Sequence, residues 1–160
     1  MSHKLLRTYP ILQNCNNWER EVAQYFLRAF PQWDGYLALE TFQATRYLVI
    51  KIPAPVQPTE HDLGISTSQG RLTVYFDRYH AHFYRSERRA DMQAYDQAKA
   101  FIHQILDEQV VVCIRMEKDQ WRSSMYITPE GLPTAIPADW TGYIRSWRGT
   151  YNTTITLQSD

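Results

Sequence analysis

The chain is short of several things that would mark a specialised class. Among 160 residues there are two cysteines, Cys15 and Cys113, too few and too far apart for a disulfide framework or a zinc knuckle. A reducing cytoplasm is the expected setting. Net charge is absent as well: 17 basic residues face 17 acidic ones, so the broad cationic field of a general nucleic-acid or membrane-surface binder is missing. No apolar run approaches the roughly 20 residues of a membrane span. The opening Met1-Ser2-His3-Lys4 leads into no signal-peptide core, so export by that route is not expected. The six glycines stand too far apart for a phosphate-binding or dinucleotide loop. There is no GxSxG elbow, no HExxH helix and no CxxC. The strongest sequence warrants for catalysis are therefore lacking, and no cofactor is called for.

What the chain does carry is rings and guanidinium groups. Aromatic residues make up 14%, with five Trp and eleven Tyr, and Arg outnumbers Lys by 13 to 4. Trp, Tyr and Arg join large contact area to directional hydrogen bonding and concentrate at protein–protein hot spots. Apolar residues at 44% and charged residues at 21% lie near the globular norm. A chain of this length buries roughly 70% of the surface it exposes when unfolded, and folds without a staple.

Periodicity sets the elements. Asn16 with Glu19 approximates a capping box. Trp18, Val22, Tyr25, Phe26, Ala29 and Phe30 then share one helical face, with charged Glu19, Arg20, Glu21 and Arg28 mostly off it, and Pro31 stops the helix. Before it, Leu5, Leu6, Ile11 and Leu12 form an arm expected to dock on the core. Strands are expected over Tyr36–Phe42 and Thr45–Ile52, followed by a stiff connection through Pro53, Pro55 and Pro58. A short strand over Gly64–Thr67 leads through a Ser68-Gln69-Gly70 loop to Arg71–Phe76, where Leu72, Val74 and Phe76 alternate with Thr73 and Tyr75. A second helix spans Ala90–Glu108, with Asp91 in its opening turn. Val110–Met116 and Trp121–Ile127 form a hairpin around Lys118-Asp119-Gln120. Residues 143–157 alternate loosely. Without a repeat or a composition break, the expectation is a single α+β domain over residues 1–160. Its mainly antiparallel β-sheet carries two principal helices packed on one face.

Two constellations bear on function. In Asp77-Arg78-Tyr79-His80-Ala81-His82-Phe83, His80 and His82 lie on one side of a strand, where two imidazoles can approach one metal with Asp77 as ligand or orienting group. An unbroken strand through Arg78 would put that arginine and both histidines on the face of Leu72, Val74 and Phe76. Burying Arg there is costly. A bulge or turn at Asp77-Arg78 removes the conflict, returns Tyr79, Ala81 and Phe83 to the core face and presents His80 and His82 outward. The second constellation interleaves Trp121, Arg122, Trp140, Tyr143, Arg145, Trp147, Arg148 and Tyr151, with no acid between Trp140 and Gln158. That segment is locally cationic, suited to acidic partner residues or to stacking on bases. Asp107, Glu108, Glu117 and Asp119 read as ordinary solvated acids. Cys113, amid Val110, Val111, Val112 and Ile114, reads as a buried inert thiol.

Leu63-Gly64-Ile65-Ser66-Thr67 through Gly70, then Val74–Phe83, the Ala98–Leu106 helix and the Val110–Met125 hairpin resemble small bacterial immunity proteins of polymorphic toxin systems, over residues 30–127. Such proteins bind and neutralise a toxin domain made by the same or a sibling cell, commonly by covering its active site. The resemblance implies a non-enzymatic protein whose partner is a cognate toxin domain; the neutral charge separately argues against a membrane target and makes a single-strand nucleic-acid target the least favoured reading. The expected partner-binding residues are Arg78, His80, His82, Trp121, Arg145, Trp147 and Arg148. The competing reading is a small metal-dependent hydrolase centred on Asp77, His80 and His82, in which the imidazoles hold a cation that activates water.

Overall fold

The computed structural model describes residues 9–56, 62–84, 92–134 and 136–156. Leu5, Leu6, Pro58, Ala90, Asp91, His3, His61, Leu157 and Gln158 lie outside the described residues. The described chain contains two α-helices, α1 (Asn17–Ala29) and α2 (Met92–Leu106). Nine strands accompany them: β1 (Leu37–Phe42), β2 (Thr45–Ile52), β3 (Leu63–Ser66), β4 (Leu72–Phe76), β5 (Tyr79–Phe83), β6 (Val111–Glu117), β7 (Gln120–Ile127), β8 (Trp140–Arg145) and β9 (Thr153–Thr156). The class is α+β and mainly sheet, as the element order implied. The strands fall into two antiparallel sheets, of order β1-β2-β3-β4-β5 and β7-β6-β8-β9. No helix among the described residues is long and apolar enough to cross a membrane.

The chain's contacts divide into two compact units. The first comprises Met1–Ile52, Gly64–Val74 and Ala81–Ala100; the second comprises Pro53–Leu63, Tyr75–His80 and Phe101–Asp160.

In the first unit, α1 starts as its sequence requires. The Asn16 side chain accepts a hydrogen bond from the Glu19 amide at 2.9 Å, and the Glu19 carboxylate accepts one from the Asn16 amide at 2.8 Å. This reciprocal pair satisfies two amides that the first turn leaves orphaned. The buried face is Glu19, Val22, Ala23, Phe26 and Leu27, while Ala29 is exposed. Glu19 thus lies inside rather than off the apolar stripe, because its second carboxylate oxygen receives the Thr67 hydroxyl at 3.4 Å. A core cluster of Leu12, Cys15, Ala23 and Leu48 is covered by Tyr9, Ile11, Leu37 and Leu39, so Ile11 and Leu12 dock as expected. The β1–β2 hairpin pairs Phe42 with Thr45 and Leu37 with Ile50. Gln43 and Ala44 close it with φ of 46° and 64°, the two-residue geometry whose twist matches that of the strands.

In the second unit, β6 and β8 are the inner strands, and β6 pairs with β7 on one side and β8 on the other. Its first residues, Val111, Val112, Cys113 and Ile114, are all buried, as a strand covered on both faces requires. Val111, Cys113 and Ile144 form a core cluster packed by Met125, Ile127, Leu132, Tyr151 and Ile155. The β6–β7 turn is Lys118-Asp119 alone, both at positive φ, and Gln120 already belongs to β7. Residues 143–157 are not one strand: β8 and β9 are separated by a loop over 146–152.

Candidate functional site

The chain reverses direction at Asp77-Arg78, between β4 and β5. Asp77 sits at φ 50°, a left-handed conformation that Asp tolerates better than most side chains. The reversal resets the face parity. Leu72, Val74 and Phe76 are buried; Tyr79, Ala81 and Phe83 are half-buried; His80 and His82 are exposed. The break expected from the Arg78 conflict is therefore present, and for the stated reason.

The turn is clamped from below by its own unit. Asp77 is only 3% exposed, and its Oδ2 lies 3.9 Å from Arg145 Nε on β8. The Ser124 hydroxyl on β7 donates to the Arg78 carbonyl at 2.7 Å. Tyr79 closes an edge-to-face cluster with Tyr126 at 5.4 Å and Phe101 at 6.1 Å, and Phe101 meets Tyr126 at 5.3 Å. Burial, and then the neighbouring Tyr126, push the Tyr79 phenol up, so it remains protonated. His82 Nδ1 lies 2.9 Å from the Thr73 hydroxyl. Among the described residues no three His, Cys, Asp or Glu side chains gather where they could hold a metal ion. Asp77, His80 and His82 are thus not brought together as a ligand set: the acid points into the second unit's core, and the imidazoles face outward.

The loop over 146–152 in the second unit is held by several hydrogen bonds. It is organised around Glu108, which the sequence offered as a solvated helix-end acid. Glu108 is instead buried, at 8% exposure. It follows α2 at φ 55°, with its amide bonded to the Ile105 carbonyl at 3.1 Å and the Gln109 amide bonded to the Gln104 carbonyl at 2.9 Å. This is a Schellman ending with Glu where Gly is usual. The left-handed backbone costs a non-glycine residue on the order of 1 kcal/mol. What Glu contributes in exchange is a carboxylate.

That carboxylate accepts from the Arg148 amide at 2.7 Å, and from the Ser146 and Thr150 hydroxyls and the Thr150 amide. Burial pushes its pKa up, but these hydrogen bonds outweigh burial and hold it below the usual carboxylate range. The loop also bonds to itself. The Ser146 amide donates to Asn152 Oδ1 at 2.8 Å, and the Tyr151 amide to the Ser146 hydroxyl at 3.0 Å. Gly149, at φ 79°, is required twice over, since a Cβ there would lie 2.9 Å from Val56 Cγ1.

This frame presents Trp147 and Arg148. The Trp147 ring leans edge-on against Phe76 at 5.8 Å and keeps part of its surface exposed. The Arg148 side chain is 63% exposed, with Nη2 3.9 Å from Asp107. On β7, Trp121 is 46% exposed and Tyr126 slightly more. Arg145, expected at the surface, is turned inward. Its side chain is 16% exposed and its guanidinium lies over the Tyr143 ring at 5.1 Å while facing Asp77, so it serves the fold.

The local excess of cations is neutralised by acids from elsewhere in the chain. Asp77 answers Arg145, Asp107 answers Arg148, and Glu117 answers Arg122 at 2.7 Å. The resulting surface is aromatic and charge-balanced rather than cationic. Both thiols are buried, Cys113 among its valines as read. Burial raises the Cys113 pKa, and burial followed by Glu19 takes Cys15 to about 11, so neither is a ready nucleophile.

The class these features define is a small α+β chain with a pre-formed aromatic loop and no assembled ligand set among the described residues. No protein-family model, no curated protein and no solved structure matches this chain.

Proposed function

We propose that this chain is a non-enzymatic binding protein that neutralises a cognate bacterial toxin domain by direct contact. It acts in the cytoplasm and uses no cofactor. The observation that supports the reading is the buried Glu108 carboxylate, which orders the loop carrying Trp147 and Arg148 before any partner arrives. Ordering a ring and a guanidinium costs about 0.5–1.5 kcal/mol per side chain at the moment of association, and a loop already held avoids much of that cost. Trp121 and Tyr126 on β7 supply further aromatic area, and His80 supplies an exposed polar contact beside the clamped turn. An interface of standard size, about 1,600 Å², needs only a few such contacts to dominate its energy. The resemblance over residues 30–127 directs the choice of partner.

The test is co-expression with toxin domains encoded beside the gene, followed by measurement of growth and of complex formation with purified proteins. Rescue of growth together with a stable complex supports the reading. Trp121→Ala and Arg148→Ala should each weaken that complex by about tenfold or more, the loss of a single hot-spot contact. Growth arrest that persists in the presence of the folded chain, with no complex, overturns it.

A further inference from the structure

We infer that the first unit carries a second, separate binding site: a groove between α1 and α2 that takes a small aromatic monoanion. The groove shares no residue with the surface proposed above and does not depend on it.

Its cavity volume is about 630 Å³, within the roughly 300–1,000 Å³ that holds small organic ligands. The walls are mainly apolar and are built by helix geometry. Glu21, Tyr25 and Arg28 recur along one side of α1, while Met92, Tyr95 and Lys99 recur along α2, so each helix contributes a single stripe. The Tyr25 and Tyr95 rings meet at 5.3 Å, tilted by 48°, and give the groove an aromatic wall. Met92, 52% exposed, offers a polarizable thioether suited to packing against a ring. A planar apolar ligand matches these surfaces.

The charges select its polar group. Tyr25 donates its hydroxyl to Asp96; burial and that bond push its phenol pKa up, so the site keeps a neutral ring. Lys99 is shared between Asp96, at 3.7 Å, and the Tyr25 ring, at 5.6 Å. Arg28 has no ion-pair partner among the described residues and lines the same groove. A guanidinium forks naturally onto a carboxylate or sulfonate. Glu21 stands two turns away on α1, about 10 Å along the axis. An anion at the Arg28 end is therefore favoured, and a second anion at the far end is repelled. The class is an aryl monoanion, with its uncharged end toward Glu21.

Three probes of one shape separate the possibilities: 2-naphthoate, neutral 2-naphthamide and 2,6-naphthalenedicarboxylate. Each is titrated into the full-length chain and followed by backbone amide chemical shifts. The expected result is saturable one-to-one binding of 2-naphthoate, with shifts centred on residues 21–29 and 92–99. The amide and the dianion should bind about tenfold more weakly, the scale of one charge-assisted hydrogen bond. Arg28→Ala, at an exposed position that leaves the core intact, should erase the preference for naphthoate over naphthamide, and Arg28→Lys should retain part of it. Absence of saturation by 2-naphthoate, shifts centred elsewhere, or an anion preference that survives Arg28→Ala each overturns the inference.

Discussion

Replacing Glu108 by Gln is the sharpest test of how the 146–152 loop is held. The substitution keeps side-chain length and leaves the left-handed backbone penalty at φ 55° almost unchanged, so that cost cancels between the two proteins. What changes is the acceptor. The carboxylate receives two hydroxyls and two backbone amides from Ser146, Arg148 and Thr150. A Gln carbonyl can accept about half of these, and its amide group faces donors with a donor. Hydrogen bonds to a charged group contribute about 1.5–3 kcal/mol each, and neutral ones about 0.5–1.5, so the variant should lose at least about 3 kcal/mol. Urea unfolding followed by circular dichroism reads this directly.

The pH dependence supplies a second reading with a definite sign. The folded carboxyl lies below its ordinary 4.5, so the unfolded chain binds more protons in that window. The contribution is fully present above 4.5 and is lost as pH falls through the lower folded value. The gap between wild type and Glu108→Gln should therefore be widest at neutral pH and should close in acid. A gap within about 0.5 kcal/mol at neutral pH, the range of an ordinary surface substitution, would refute the reasoning. So would a gap that is the same at every pH.

Two further substitutions probe the same frame. Gly149→Ala combines an unfavourable φ of 79° with a Cβ 2.9 Å from Val56 Cγ1, and should cost about 1–3 kcal/mol by thermal unfolding; an unchanged melting temperature would show that the loop yields freely. Asp77→Ala leaves the inward-facing Arg145 guanidinium without its carboxylate and strains the left-handed turn, and should cost about 3–5 kcal/mol; Asp77→Asn loses the same charge but tolerates the turn's backbone and keeps an acceptor oxygen, so it should cost less by about 1 kcal/mol. Equal losses in the two Asp77 variants would mean that charge, not acceptor geometry, holds the turn.

Some of this molecule is written locally. The Asn16–Glu19 box, the α2 periodicity, the Leu72-Val74-Phe76 alternation and the break at Asp77-Arg78 are decided by residues within a few positions of one another. Their signals survive in the linear chain because backbone geometry has short periods of 2 and 3.6 residues. Even the break was legible, since an arginine and two histidines on an apolar face conflict without reference to any distant residue.

Other features depend on neighbours far along the chain. Glu108 looks like any acid at a helix end until Ser146, Arg148 and Thr150 surround it. Arg145 looks like a surface cation until Asp77, 68 positions earlier by residue number, faces it. The division of the nine described strands into two sheets, and the groove walled by α1 and α2, likewise follow from which elements become neighbours. Periodicity tells each segment which face to bury; it does not tell a charge which opposite charge it will meet. That choice is made by tertiary packing, because the energy of a buried carboxylate or guanidinium depends on the donors and acceptors placed around it after folding.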